Sequence, residues 1–190
     1  MSESPTEHFE HAEHAEHVAN SGDAFLMKVS VTIAILAVAA ATAGSLETLE
    51  TAASIGDKND SVLFQNKATD NWSFFQAKSL KKNMYEIAAA SVQPGPGADA
   101  FKAAAKKNEA DENELHEKGE ALEHEVDVKL RAAEIHERHH HILTVATTAL
   151  HISIAVATIA IIVRKHRWPY YSAIVLGLAG VAGAAYAYVS

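Results

Sequence analysis

With 190 residues the chain has room for one domain, or for a membrane anchor carrying one small domain. A formal charge of −8 excludes the extended basic footprint of a nucleic-acid binder, and the lack of cysteine excludes disulfides and thiolate zinc sites. Twelve histidines are the outlier, because protonating all of them would reverse the sign of the net charge in mild acid.

Residues 1–23 are acidic and rich in histidine. Ser4-Pro5-Thr6-Glu7 has the chemistry of a helix start, with a serine cap, proline in the first turn and glutamate closing a capping box. Asn20-Ser21-Gly22 is a matching stop. On the helix expected between them, His8, His11, His14 and His17 advance by about 300° each, so they spiral instead of gathering on one face. Glu7, Glu10 and Glu13 each stand four residues before a histidine, a spacing that stabilises helices. A solvated acidic helix is expected here, with a weak metal tract or a pH sensor as alternatives.

The first apolar run, 24–46, carries one charge, Lys28, near its start. At ~1.5 Å per residue it crosses a hydrocarbon core of ~30 Å. Ala41-Thr42-Ala43 has the small-x-small form of a signal cleavage site, but the preceding segment is long and acidic, so an uncleaved anchor is expected. The second run, 142–163, contains only His151 as an ionisable group, and the third, 170–190, contains no charged residue. Between them the loop 164–169, RKHRWP, concentrates Arg164, Lys165 and Arg167, which marks a cytoplasmic side. Trp168, Tyr170 and Tyr171 suit the membrane interface, and Pro169 suits the first turn of a helix. This places the N-terminus inside, with residues 47–141 and the C-terminus outside. Arg131 and Arg138, near the outer end of the second span, pull the other way.

Residues 47–141 read as an antiparallel helical hairpin. Its strong breaker is Pro94-Gly95-Pro96-Gly97, which sets a turn at 93–98 between two arms of nearly equal length, each roughly 65–70 Å if wholly helical. In the second arm Leu115, Gly119, Leu122, Val126, Leu130 and Ala133 recur at helical spacing, and no breaker separates them from the second span. One helix is therefore expected from near Asp99 to Val163. The first arm is less sharply defined, because IGDKND, 55–60, could unwind or kink it. Beyond it Phe64, Ala68, Trp72, Phe75 and Ser79 form one stripe, while Leu63, Phe74 and Tyr85 form a second roughly 90° away. A polar second arm covers one stripe only, so the other face implies a further partner. In the third span Ala173, Gly177, Gly180 and Ala184 share a face of small residues. Packing on Ala37, Ala41 and Gly44 of the first span is the simpler use of that face, and contact with another chain is the alternative.

Two features could carry chemistry. His136-Glu137-Arg138-His139-His140 contains H-E-x-x-H, which in zinc peptidases puts two imidazoles on one helix face with the glutamate as general base. His136 and His140 would be the ligands, with Glu47 or Glu50 at the end of the first span completing a zinc site. Against catalysis, the chain has few residues from which to build a substrate cleft. His151 lies near mid-bilayer depth, where an ionisable group is a functional candidate. It lacks an acidic partner in any span, and Thr32 or Thr42 could satisfy it, so a structural role is expected.

The stretch QNKATDNWSFFQAKSLKKNMYE, Gln65 to Glu86, together with the three-span layout, resembles a bacterial family known only as a domain of unknown function, number 4337. The resemblance covers nearly the whole chain and is most specific at Trp72 to Lys78. It implies a bacterial inner-membrane protein with three spans and brings no activity with it. Read from its residues, the stretch sets Asp70, Asn71, Gln76 and Lys78 beside aromatics, a mixture enriched at protein contacts. Phe64, Trp72, Phe74, Phe75, Gln76, Lys78 and Tyr85 are the candidate partner-binding residues. Packing of Trp72 and Phe75 on the hairpin's own second arm is the competing reading.

The sequence thus predicts an all-α integral membrane protein with three transmembrane helices and a long extramembrane hairpin. Its expected role is a non-enzymatic scaffold or accessory subunit without a cofactor, in contact with the bilayer and with further copies or other subunits, not with nucleic acid. The alternative is a histidine–carboxylate metal protein, possible zinc hydrolysis included.

Overall fold

The computed structural model describes residues 24–163 and 166–189. The capped helix expected within 1–23 lies outside the described residues, as do Arg164 and Lys165 of the basic loop and Ser190. The described residues form three helices: α1 (Ala24–Ser91), α2 (Pro96–Ile162) and α3 (Trp168–Tyr186). No strand occurs among them. Each helix contains a segment long and apolar enough to cross a membrane.

Several boundaries follow from local chemistry. α1 stops at Ser91, because Pro94 and the glycines beside it cannot extend the helix. α2 begins at Pro96, where the missing N–H of proline costs nothing, and Asp99 donates its amide to the Gly95 carbonyl at 3.1 Å. The turn is therefore shorter than the 93–98 expected. α3 opens with Pro169 in its first turn and ends at Tyr186, so Ala187–Val189 form a turn and not the last residues of a span.

Ile55–Asp60, where the first arm could have unwound or kinked, is helical, and α1 runs through it. Lys129 lies 3.0 Å from both Asp57 and Asp60, and the Ser61 hydroxyl donates to the Lys58 carbonyl at 2.7 Å. Tertiary pairing thus overrides the weak helix propensity of Gly, Asp and Asn.

The chain divides into two compact units. The first holds the described residues up to Ser54 together with those from Ile135 onward. In α1 its buried residues are Leu26, Val29, Ile33, Leu36, Ala40 and Ala43, at alternating spacings of three and four. α2 repeats that pattern with Leu143, Ala146, Leu150, Ser153, Ala157 and Ala160. α3 enters through Ala173, Gly177 and Gly180, all buried. A Cβ on Gly180 would stand 2.8 Å from Leu150 Cγ and 3.0 Å from the Ala146 carbonyl oxygen, and one on Gly177 would collide with Leu36. The small-residue face is thus taken up inside the chain. It meets Leu36 of α1 and the Ala146–Leu150 turn of α2, while Ala41 of the expected partner face is exposed.

The second unit, Ile55–Glu134, is an antiparallel pair of helical arms. The register is fixed by pairs that run in opposite directions along the chain: Asp57 with Lys129, Asn71 with Leu115, Lys78 with Asp111, and Tyr85 with Phe101. Its buried positions are mostly small or polar, among them Ser61, Ala68, Asn71, Ala105 and Asn108, with Val126 the largest apolar one.

Candidate functional site

The first unit continues its seam past the apolar runs. Counting back from Leu143 by four and then three gives His139 and His136. Counting forward from Ala43 gives Glu47 and Glu50. Helical geometry therefore aims these polar side chains along the direction that the apolar ones take deeper in the unit. Glu50 is 8% exposed, and His136 Nδ1 lies 2.6 Å from its Oε2. His139 Nδ1 faces the same oxygen at 3.5 Å, is buried, and makes no hydrogen bond. Tyr188, in the turn after α3, hydrogen-bonds Glu50, and its ring centre is 5.2 Å from that of His139. One donor atom from each of Glu50, His136 and His139 falls within 4.8 Å of the others.

Burial alone would push the Glu50 carboxyl up. The hydrogen bonds from His136 and Tyr188, and the positive charge that either histidine can carry, outweigh it and hold the group below its ordinary value. An ionised carboxylate accepts hydrogen bonds only, so His136 is the donor in its pair with Glu50.

His140 is turned away from this group. Its Nδ1 lies 3.0 Å from Thr51 Oγ1 and 3.9 Å from Glu47 Oε1, and the Thr144 hydroxyl donates to Glu47 at 2.7 Å. Of the four residues read as metal ligands, Glu50 and His136 come together, while Glu47 and His140 lie beside them 3.9 Å apart, each hydrogen-bonded to a threonine. His139 was missed, because the H-E-x-x-H pattern selects the fourth residue along and the seam here steps by three. Within the span, the Thr32 and Thr42 hydroxyls donate to carbonyls one turn back, of Lys28 and Val38.

The second unit places the candidate partner-binding residues differently from one another. Trp72 donates its indole N–H to Glu123 at 2.8 Å and packs over Gly119, where a Cβ would lie 2.8 Å from the ring. Phe75 and His116 flank it with ring centres at 5.3 and 5.5 Å. Lys78 is paired with Asp111 at 2.6 Å and Tyr85 stacks on Phe101, while Phe64 lies under Lys67. Phe74 and Gln76 stay exposed, as does Leu63. Beside them run Ile55, Val62, Leu80, Met84 and Ile87, each 54–67% exposed, which the sequence reading left out. At about 100° per residue these five fall within roughly 60° of one another, so they make a single outward stripe.

These features define an all-α protein with three helices apolar enough for a membrane, a half-buried histidine–carboxylate group and an outward apolar stripe. The chain belongs to the family described as Domain of unknown function (DUF4337), whose model matches residues 25–190. No curated protein and no solved structure matched the chain.

Proposed function

We propose that this protein is a non-enzymatic membrane scaffold that pairs with a second copy of itself through the outward stripe of its second unit. The observation that carries the reading is an inversion. Ile55, Val62, Leu80, Met84 and Ile87 face outward, while Ser61, Ala68, Asn71 and Asn108 fill the inside. Large apolar residues exposed along one helix face, here in two groups on either side of a polar stretch, are a contact surface. Two arms cannot bury stripes on both sides of a helix, and two such hairpins back to back make the smallest bundle that can. A twofold pairing also needs no other gene product, since one stripe meets its own image.

On this reading the three apolar segments anchor the protein in the bacterial inner membrane. The N-terminus is cytoplasmic, as the basic 164–169 loop favours, and the hairpin and C-terminus are periplasmic. A zinc hydrolase draws less support. Its geometry needs His136 and His140 to converge, and the His140 nitrogen lies against Thr51.

The chain has no cysteine, so introduced ones read out without background. Leu80→Cys or Met84→Cys in native membranes should give a disulfide-linked dimer on mild oxidation, and Lys106→Cys on an exposed position of α2 should not. The same cysteines should react with a membrane-impermeant maleimide from the periplasmic side. Monomer at every introduced position would overturn the pairing. Cross-linking of Leu80→Cys to a different protein would replace the second copy with another subunit.

A further inference from the structure

We propose that Glu50, His136 and His139 bind a divalent transition-metal ion, zinc foremost, at the end of the first unit's apolar seam. The inference stands independently of self-association. Two imidazoles and one carboxylate are a recurrent donor set for such an ion, with a fourth position left for water or another oxygen. His, Glu and a buried position seldom coincide without a partner, and here one partner is lacking: His139 Nδ1 is buried and makes no hydrogen bond. A buried nitrogen left in that state is costly unless something occupies its lone pair.

The distances fit. Ligands at ~2.0–2.2 Å around a tetrahedral zinc stand roughly 3.4 Å apart. His139 Nδ1 and Glu50 Oε2 are already 3.5 Å apart. His136 Nδ1, at 2.6 Å from the same oxygen, is held by a hydrogen bond that the ion would replace after a small ring movement. All three donors fall within 4.8 Å of one another. Tyr188 supplies the support such a site needs, because its hydrogen bond to Glu50 fixes the carboxylate from outside the donor set. Both histidines sit on one continuous helix and Glu50 on another, so the donors are carried by rigid elements.

The arrangement also says which cation it is built against. One carboxylate with two nitrogens is too poor in oxygen for calcium or magnesium. An ion held by these donors would tie α1 to α2 within the unit.

The test uses the full chain, purified without a metal-affinity tag. Because His8, His11, His14 and His17 could bind metal weakly, all four are changed to alanine in the background chain. Zinc is added, excess is removed by dialysis against a weak chelator, and bound metal is measured by mass spectrometry. About one zinc per chain should remain. His139→Gln and Glu50→Gln should each cut the affinity by about tenfold or more, with His124→Ala as the control that leaves it unchanged. Cobalt titration gives a second readout: the d–d bands of a low-coordinate site should appear in the parent and vanish in His139→Gln, while circular dichroism shows unchanged helix. Metal content at buffer background in the parent would overturn the site. So would loss of binding in His140→Ala with retention in His139→Gln, since the ligands would then be the zinc-peptidase pair.

Discussion

The two units use the same spacing for opposite chemistry. In the first, positions at alternating steps of three and four along α1 hold Leu26, Val29, Ile33, Leu36, Ala40 and Ala43. In the second, the same steps land on Asp57, Ser61, Phe64, Ala68, Asn71, Phe75, Lys78, Lys82 and Tyr85, none of which is exposed. α2 does likewise through Phe101, Ala105, Asn108, Glu112, Leu115 and Gly119. An apolar seam needs no help in aligning helices by shape, whereas a polar seam must satisfy each group it buries. The second unit does this pair by pair. Asn71 donates to the Leu115 carbonyl at 2.5 Å, and Lys82 meets Glu112 at 2.6 Å. The Glu112 contact raises the Lys82 ammonium above its ordinary value and lowers the Glu112 carboxyl. The first unit is therefore held by fit and the second by matched partners.

That contrast can be broken most severely by adding one methyl group to each unit. Gly180→Ala puts a Cβ within 3.0 Å of a backbone oxygen that cannot move aside, so the first unit should lose about 1–3 kcal/mol despite better helix propensity. Gly119→Ala meets only the Trp72 and Asn71 side chains at 2.8–3.1 Å, and a ring that can swing outward should reduce the loss to well under that of Gly180→Ala. Hydrogen exchange read separately over the spans and over residues 55–134 would compare them. Equal protection in both variants would mean that fit governs neither unit.

A smaller effect sharpens the other half of the contrast. Asn71→Ala removes a hydrogen bond at a buried polar seam position, and the second unit should lose about 1 kcal/mol in chemical denaturation. Asn71→Leu, apolar and of similar size, should not restore it, because the Leu115 carbonyl keeps no donor.

The mildest effect is one of pH. Glu50 faces His136, His139 and Tyr188, and its carboxyl is held below the ordinary 4.5 in the folded chain. A depressed carboxylate contributes stability that is complete above the unfolded value and is lost as the pH falls through the folded one. Melting of the first unit should therefore drop in acid below about pH 4.5, with the drop reduced in Glu50→Gln. An identical acid profile in that variant would assign the loss to other groups.

Much of this fold is legible from residues alone. Three apolar runs, a proline–glycine turn and an unbroken second helix are local signals, and local signals survive folding. The continuity of α1 through Ile55–Asp60 is not local. It depends on Lys129, about seventy positions further along, which no window of sequence brings near. The outward stripe escaped notice because Val62 and Leu80 are separated by about five turns filled with polar residues on that face. His139 was within reach. A spacing rule borrowed from zinc peptidases pointed to His140, while carrying the span's own rhythm back from Leu150, Ala146 and Leu143 reaches His139 and then His136.

The shared rhythm has a consequence for length. α1 keeps one phase of threes and fours from Leu26 to Tyr85, whereas α2 takes two successive steps of three at Ala133, His136 and His139. Removing a single residue from the start of α1 would turn every position beyond it by about 100° and bring Ile55 and Val62 to the seam in place of Ser54 and Ser61. Removing seven from α1 and the matching seven from α2 would shift nothing but reach. The two arms of the hairpin change length without turning their seams when they change together in blocks of seven.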